Sequence, residues 1–211
     1  MKTDDLITLL VKDSRVRWRF GHAVMLAFFG GCFLTAVMFF GWIHPRPDVA
    51  QAAKTVRFLF KFLITIAVTM TATGLVVRDA RPGVPIGLWR WSPIVAPILL
   101  VVAVIAELLA MPESTWAARW IGTNISQCVT LIPLMAIVPL TCLLLALRQG
   151  APKHPGASGA IAGLVSSGIA ATFYASHCTD DSPLFVITWY PLASAVVVFV
   201  GYIAGSRFLR W

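Results

Sequence analysis

Long apolar stretches alternate with short polar ones along almost the whole chain. A helix of about 20 apolar residues can cross the hydrocarbon core of a bilayer, because each residue adds about 1.5 Å of length. Six stretches reach or approach this length, which predicts an all-α, multi-pass membrane protein with an N-terminal tail (residues 1–21) and a transmembrane domain (residues 22–211). The six predicted spans are residues 22–43, 56–77, 92–111, 125–147, 159–176 and 184–204.

Composition supports this interpretation and excludes several other classes of protein. Hydrophobic residues make up 58% of the chain and charged residues 12%, against about 45–50% and about 25% in soluble domains. Four cysteines are too few for a disulfide-stapled secreted domain. The loops between the predicted spans are short and leave no room for a soluble catalytic domain, so we do not expect an enzyme.

The basic residues predict the orientation of the chain. The net charge is +8, but the basic residues lie mainly between apolar stretches, which indicates membrane topology rather than direct binding of nucleic acid. Twelve of the 17 basic residues lie on the side that contains both termini, which predicts that both termini are cytoplasmic. The five on the outer side are Arg46, Lys54, Arg57, Lys61 and Arg119.

Two of the four cysteines fall at the predicted outer face. Cys128 lies near the start of the fourth span and Cys178 just after the fifth, whereas Cys32 and Cys142 lie inside spans and are interpreted as buried apolar residues. An oxidising outer compartment would allow a disulfide between Cys128 and Cys178. Thiolates with His177 or Asp180 could instead bind a soft metal ion. The third alternative is that neither cysteine reacts.

Three carboxylates near the outer face also have alternative interpretations. Asp180 and Asp181 suit a short polar loop before the last span, or they contribute to a sensing site. Glu107 lies inside an apolar segment, where a carboxylate is a candidate functional residue. It shares a predicted depth of about 6–8 Å with Lys61. We therefore predict a Lys61–Glu107 ion pair with a structural role.

The fifth predicted span carries small residues at every fourth position. Such a stripe allows close approach of neighbouring helix backbones in a bilayer, where the hydrophobic effect does not drive helices together. It predicts that the fifth span is a tightly packed element that ends at Cys178. The stripe consists of Gly159, Gly163, Ser167, Ala171 and Ala175.

The N-terminal tail predicts a short amphipathic helix. Thr3 is a suitable cap, Asp4 and Asp5 suit the first turn, and an apolar face follows. About ten residues are too few for a stable isolated helix, so this face should become ordered against a partner. Arginines farther along the tail suit contact with anionic lipid. The predicted partner-binding residues are Asp5, Leu6, Ile7, Leu9 and Leu10.

Several longer motifs resemble those of one known family. The most specific is the segment from His177 to Phe185, HCTDDSPLF, followed by Trp189 and Tyr190. The opening MKTDDLI, the basic stretch 16–19, CVTLIP at residues 128–133, LRQGAP at residues 147–152 and the ending FLRW add to the likeness. On these motifs the chain resembles the NrsF-type family of membrane anti-sigma factors, negative regulators of sigma F.

The resemblance implies a six-helix protein of the bacterial inner membrane that sequesters an extracytoplasmic-function sigma factor. It implies that the N-terminal segment holds the sigma factor. It also implies that two outer-side cysteines, matched here by Cys128 and Cys178, sense heavy-metal or oxidative stress. No cofactor is required, although transient soft-metal binding is compatible with the thiols.

Two other functions remain as alternatives. A membrane thiol-redox enzyme would exchange electrons between Cys128, Cys178 and a quinone, although such enzymes usually have closely spaced cysteines. A metal- or proton-coupled transporter would use Glu107 together with the cysteines. The lipid bilayer is the expected environment in every case.

Overall fold

The computed structural model describes residues 20–79, 87–150 and 152–210. Most of these residues are helical, and none of them lies in a strand. Residues 1–19 lie outside the described part of the chain, so the predicted partner-binding residues of the tail, Asp5, Leu6, Ile7, Leu9 and Leu10, stay a prediction.

Six helices within the described residues are long and apolar enough to span a membrane, as predicted. Their ends differ from the predicted ends by five residues or fewer. The last turn of the first helix, Phe39–Ile43, is π-helical, and the third begins with a 3-10 stretch, Gly87–Ile94. The helices are α1 (Phe20–Ile43), α2 (Val56–Asp79), α3 (Gly87–Ala110), α4 (Ile125–Leu147), α5 (Pro155–Ala175) and α6 (Pro183–Phe208).

Two of these helices begin with proline for a clear physical reason. Pro155 starts α5 and Pro183 starts α6. The first N–H groups of a helix have no intrahelical partner, so proline removes no hydrogen bond there, and its fixed φ suits the helix. The Ser182 hydroxyl caps α6 by accepting a hydrogen bond from the backbone N–H of Leu184 at 3.2 Å.

Helix α5 lies at the centre of the bundle. It packs against α6, α2 and α4, while α1 packs mainly against α4. Thirteen of the 21 residues of α5 are buried, but only Ala96, Leu100 and Glu107 are buried in the Val95–Ala110 part of α3. Helix α3 is therefore peripheral and presents most of its apolar surface outward.

Glycines bring α5 and α6 into backbone contact. A Cβ built on Gly163 would lie 2.7 Å from the carbonyl oxygen of Val197, which is too close for any side chain. A Cβ on Gly159 would meet the backbone of Gly201 and Gly205. We call Gly159, Gly163, Gly201 and Gly205 the glycine seam. All five residues of the predicted small-residue stripe are buried, which confirms that it is a packing face.

Three connecting segments meet at one end of the bundle. They are residues 44–55 after α1, residues 111–124 after α3, and residues 176–182 after α5. The backbone N–H of Arg46 donates to the carbonyl of Ser176 at 3.0 Å. The Trp120 indole donates to the Thr188 hydroxyl at 2.8 Å. We call this the outer end, after the orientation that the charge bias predicts.

Candidate functional site

The loop that follows α5 is built around the ammonium group of Lys61. This side chain projects from α2 and is only 1% exposed. Its Nζ donates to the carbonyl oxygens of Cys178 at 2.9 Å and Asp180 at 3.4 Å, and it lies 2.5 Å from Asp181 Oδ1. A buried cation without such partners would be strongly destabilising, so Lys61 fixes the path of residues 178–181.

Arg46 holds the same loop from the segment after α1. Its Nη1 donates to Asp181 Oδ2 at 3.0 Å and to the Cys178 carbonyl at 3.4 Å. Its Nε and Nη2 each donate to the Asp48 carboxylate at 2.6 Å, in a bidentate arrangement. Asp181 therefore bridges two cations, and the Cys178 carbonyl accepts hydrogen bonds from both of them.

The predicted Lys61–Glu107 ion pair does not form, and each residue has other partners. Glu107 Oε1 lies 3.2 Å from Arg119 Nη1 and 3.6 Å from Arg57 Nε. Its Oε2 accepts a hydrogen bond from the Ser182 hydroxyl at 2.8 Å. Equal depth along two helices does not ensure that two side chains point toward each other, and here Lys61 points to the loop after α5. Glu107 is nevertheless engaged in ion pairs with Arg57 and Arg119, and its structural role stays a prediction.

Asp180 caps α4 although it lies in a different loop. Its Oδ2 accepts hydrogen bonds from the backbone N–H of Thr123 at 2.9 Å and of Asn124 at 2.8 Å. The Asn124 side-chain amide donates to the same oxygen at 2.9 Å. Asn124 is the N-cap residue, whose N–H has no intrahelical acceptor, and a carboxylate at this point is also stabilised by the positive end of the helix dipole.

Gly122 allows the two loops to approach this closely. It has a φ of +63°, and a Cβ at this position would lie 2.8 Å from the Asp180 carboxylate and 2.6 Å from the Phe185 ring. Both the backbone conformation and the available space therefore favour glycine here.

The two candidate sensing cysteines are fully buried at this junction. Cys128 lies in the first turn of α4, where its N–H donates to the Asn124 carbonyl at 2.8 Å, and the N–H of Cys178 donates to Tyr174 in the last turn of α5 at 3.0 Å. The end of α5 touches the start of α4 here, because the Tyr174 hydroxyl donates to the Asn124 carbonyl at 3.5 Å. Both cysteines are free thiols. Burial raises the pKa of the Cys178 thiol, and the Lys61 ammonium acts in the opposite direction.

The surroundings of the thiols offer few further metal ligands. His177 Nδ1 lies 2.8 Å from the carbonyl of His44, which engages that ring nitrogen with a neighbouring loop. Asp180 and Asp181 are engaged in the cap and in the ion pairs. No group of three or more His, Cys, Asp or Glu side chains that could hold a metal ion occurs among the described residues. Cys128 and Cys178 are therefore better suited to forming a disulfide, or to binding a metal ion through two sulfur atoms, than to completing a tetrahedral site with four protein ligands.

Arg46, Arg57 and Arg119 were not predicted to belong to this site, although the charge bias had set them apart, together with Lys61, as basic residues of the outer side. Four of the five basic residues on the outer side form the ion pairs of this site: Arg46, Arg57, Lys61 and Arg119. Basic residues are disfavoured on the outer side of a membrane protein. Ion pairs with buried or partly buried carboxylates explain why these four occur there. The capped residues Thr123 and Asn124 carry no comparable signal in the sequence.

A polar cavity of about 440 Å³ lies beside this network. Its lining includes Arg57, Arg119, Thr179 and Asp181. Residues 179–182 of the cysteine loop therefore face an open space, whereas Cys128 and Cys178 are buried and do not line it.

Known proteins resemble this chain over its whole length. Residues 10–211 match the model of a family described as NrsF, negative regulator of sigma F. The chain is 31% identical to the anti-sigma-F factor NrsF of Caulobacter vibrioides (strain NA1000 / CB15N), and 26% identical to the probable anti-sigma-F factor NrsF of Azospira oryzae (strain ATCC BAA-33 / DSM 13638 / PS). Each alignment covers all of both chains. No solved structure matches the chain.

Proposed function

The chain belongs to the NrsF family of negative regulators of sigma F, and on this premise we propose how it recognises its sigma factor and what releases it. The protein is an anti-sigma factor with multiple membrane-spanning helices, and its partner is a sigma factor. We propose that this partner is of the extracytoplasmic-function type. The protein would hold it at the cytoplasmic face of a bacterial inner membrane.

The N-terminal tail is the proposed binding element. Its apolar residues, Leu6, Ile7, Leu9 and Leu10, would lie on one face of a short helix, with Asp5 in the first turn. The short loops leave little other polypeptide on the cytoplasmic side. Binding of the tail would keep the sigma factor from core polymerase, so the protein would act by sequestration and not by catalysis.

Release would begin at Cys128 and Cys178. The observation that supports this is their placement, because the two free thiols are buried where the first turn of α4 meets the end of α5. A disulfide or a soft-metal complex there would change how these two helix ends pack. The proposed signal is accordingly oxidative or heavy-metal stress. Tenfold release of the sigma factor requires about 1.4 kcal/mol of coupling, which one packing change can supply.

Co-purification from native membranes tests the binding element. We expect the full-length protein to recover a sigma factor of the extracytoplasmic-function type, and the double variant Leu6→Glu, Leu10→Glu to lose it. Lys12→Ala, a charge change in the same tail, is the matched control and should retain the partner. Equal recovery with the double variant would move the binding site to the cytoplasmic loops, and recovery of no sigma factor would contradict the proposal.

Paired cysteine variants test the signal. In cells treated with a cadmium salt or with diamide, Cys128→Ser, Cys178→Ser should retain the sigma factor, whereas the wild type releases it. Cys32→Ser, Cys142→Ser removes the same number of thiols from the spans and should respond like the wild type. An unchanged response in the first pair would refute cysteine sensing and leave sequestration by the tail standing.

A further inference from the structure

We infer that Asp180 is the positioning residue that holds Cys128 in register with Cys178. It does so by capping the helix of one cysteine from the loop of the other. The consequence for signalling rests on the proposed function, because it assumes that the two thiols act together. The geometric claim concerns only the distance between the thiols and can be tested without the sigma factor.

The side chain that caps α4 comes from a different loop and not from the N-cap residue of the helix itself. An N-cap side chain normally accepts hydrogen bonds from the first turn of its own helix, but Asn124 at the N-cap position of α4 makes no such bond. The acceptor is Asp180 Oδ2, which takes the backbone N–H of Thr123 and Asn124. The two residues that lead into the first turn of α4, which contains Cys128, are thus held by a residue 56 positions beyond Asn124 in the chain.

The backbone of the same residue faces the other cysteine. The carbonyl oxygen of Asp180 lies 3.7 Å from Cys178 Sγ, and it accepts a hydrogen bond from Lys61 Nζ at 3.4 Å. The side chain therefore contacts α4, while the main chain contacts Cys178 and Lys61. Movement of either cysteine segment relative to the other would have to break one of these two sets of contacts.

Asp181, its neighbour, has a separate role. The carboxylate of Asp181 pairs with Lys61 and Arg46, which lie on α2 and in the segment before it. The Asp180 carboxylate instead accepts its hydrogen bonds from Thr123 and Asn124. Removing the Asp180 carboxylate should therefore uncouple the two thiols while the ion pairs that fix the loop remain.

The test measures thiol geometry in the full-length protein in native membranes. All variants carry Cys32→Ser and Cys142→Ser, so that Cys128 and Cys178 are the remaining thiols. Diamide takes two electrons and two protons from the two thiols, forms their disulfide and is itself reduced to the hydrazine. The rate of disulfide closure is divided by the rate at which N-ethylmaleimide alkylates the same thiols. General loosening would raise the rates of closure and of alkylation together and leave their ratio unchanged, whereas loss of register lowers closure relative to alkylation.

We expect Asp180→Ala to lower this ratio about tenfold, since it removes a charged cap. Asp180→Asn should keep most of it, because an amide oxygen accepts the same hydrogen bonds. Glu113→Ala removes an exposed carboxylate from the same end and should change nothing. Gly122→Ala, which pushes on the Asp180 carboxylate from the other side, should lower the ratio even if Asp180→Ala fails to accumulate.

An unchanged ratio in both Asp180→Ala and Gly122→Ala would overturn the inference. So would an equal fall in Glu113→Ala, or a wild-type pair that does not close at all. Sigma-factor binding is not read in this experiment, so its outcome stands apart from the tests of the proposed function. If the variants change the closure ratio as expected but no sigma factor co-purifies, the proposed function alone is refuted. If the sigma factor co-purifies but the ratio does not change in the variants, only the role of Asp180 is refuted.

Discussion

The two ends of α5 are held by different kinds of contact. Near its first turns, Gly159 and Gly163 bring the backbone of α5 against that of α6, where close van der Waals packing is the source of stability. Beyond its last turn, Cys178 and the following loop are held by Lys61 and Arg46 through ion pairs and hydrogen bonds. One end depends on shape and the other on charge.

This difference indicates where a chemical signal can act. Backbone contact between glycines contains no group that an oxidant or a metal ion can modify. The other end contains two thiols beside a charged loop, and its geometry depends on groups that react. A signal would therefore alter the outer end, while the glycine seam keeps α5 and α6 together as one unit. Three predictions test this division.

The largest effect is expected at the outer end. Lys61→Ala should lower the free energy of unfolding by about 3–5 kcal/mol, since it leaves Asp181 with one cation instead of two and empties the centre of the loop. The measurement is thermal or detergent unfolding of the purified protein. Lys54→Ala, which removes an exposed lysine from the same end, is the matched control. A loss below about 1 kcal/mol would mean that the loop does not depend on this charge.

A smaller loss is expected at the glycine seam. Gly163→Ala places a methyl group against the Val197 carbonyl, and overpacking of this kind costs about 1–3 kcal/mol. Gly30 in α1 has no atom within 4 Å of a built Cβ, so Gly30→Ala should be neutral or slightly stabilising. Similar effects of the two substitutions, measured by the same unfolding assay, would show that the seam is not closely packed.

Much of this division could be predicted from the sequence. The number of spans, the stripe on α5 and the placement of Cys128 and Cys178 at one end follow from apolar length, from spacing and from position along the chain. These are one-dimensional properties, and a helix converts them into depth in a predictable way. The motif at residues 177–185 also identified the family, because many of its positions match at once.

The partners of individual side chains could not be predicted. Depth suggested that Lys61 pairs with Glu107, but pairing also depends on how each helix is rotated about its axis, which is set by packing against its neighbours. The cap that Asp180 provides to α4 joins two loops far apart in sequence. Nothing near Asn124 indicates that its helix is capped from elsewhere, so this contact required the structure.

The smallest expected effect concerns the protonation of Cys178. It is measured at the outer end of α5, with and without the charge of Lys61. Burial raises the pKa of this thiol above its ordinary value of 9.0. Because the folded protein favours the neutral thiol, this contribution to stability is complete below pH 9 and is lost as the pH rises through the higher pKa of the folded protein.

Alkylation of Cys178 by N-ethylmaleimide, measured against pH in a variant that lacks the other three cysteines, tests this shift. The pH midpoint of alkylation should lie above that of the protein unfolded in detergent. The Lys61 ammonium favours the thiolate, so Lys61→Ala should move the midpoint higher still, whereas Lys54→Ala should leave it unchanged. A midpoint that falls in Lys61→Ala would contradict the placement of that ammonium beside the Cys178 loop.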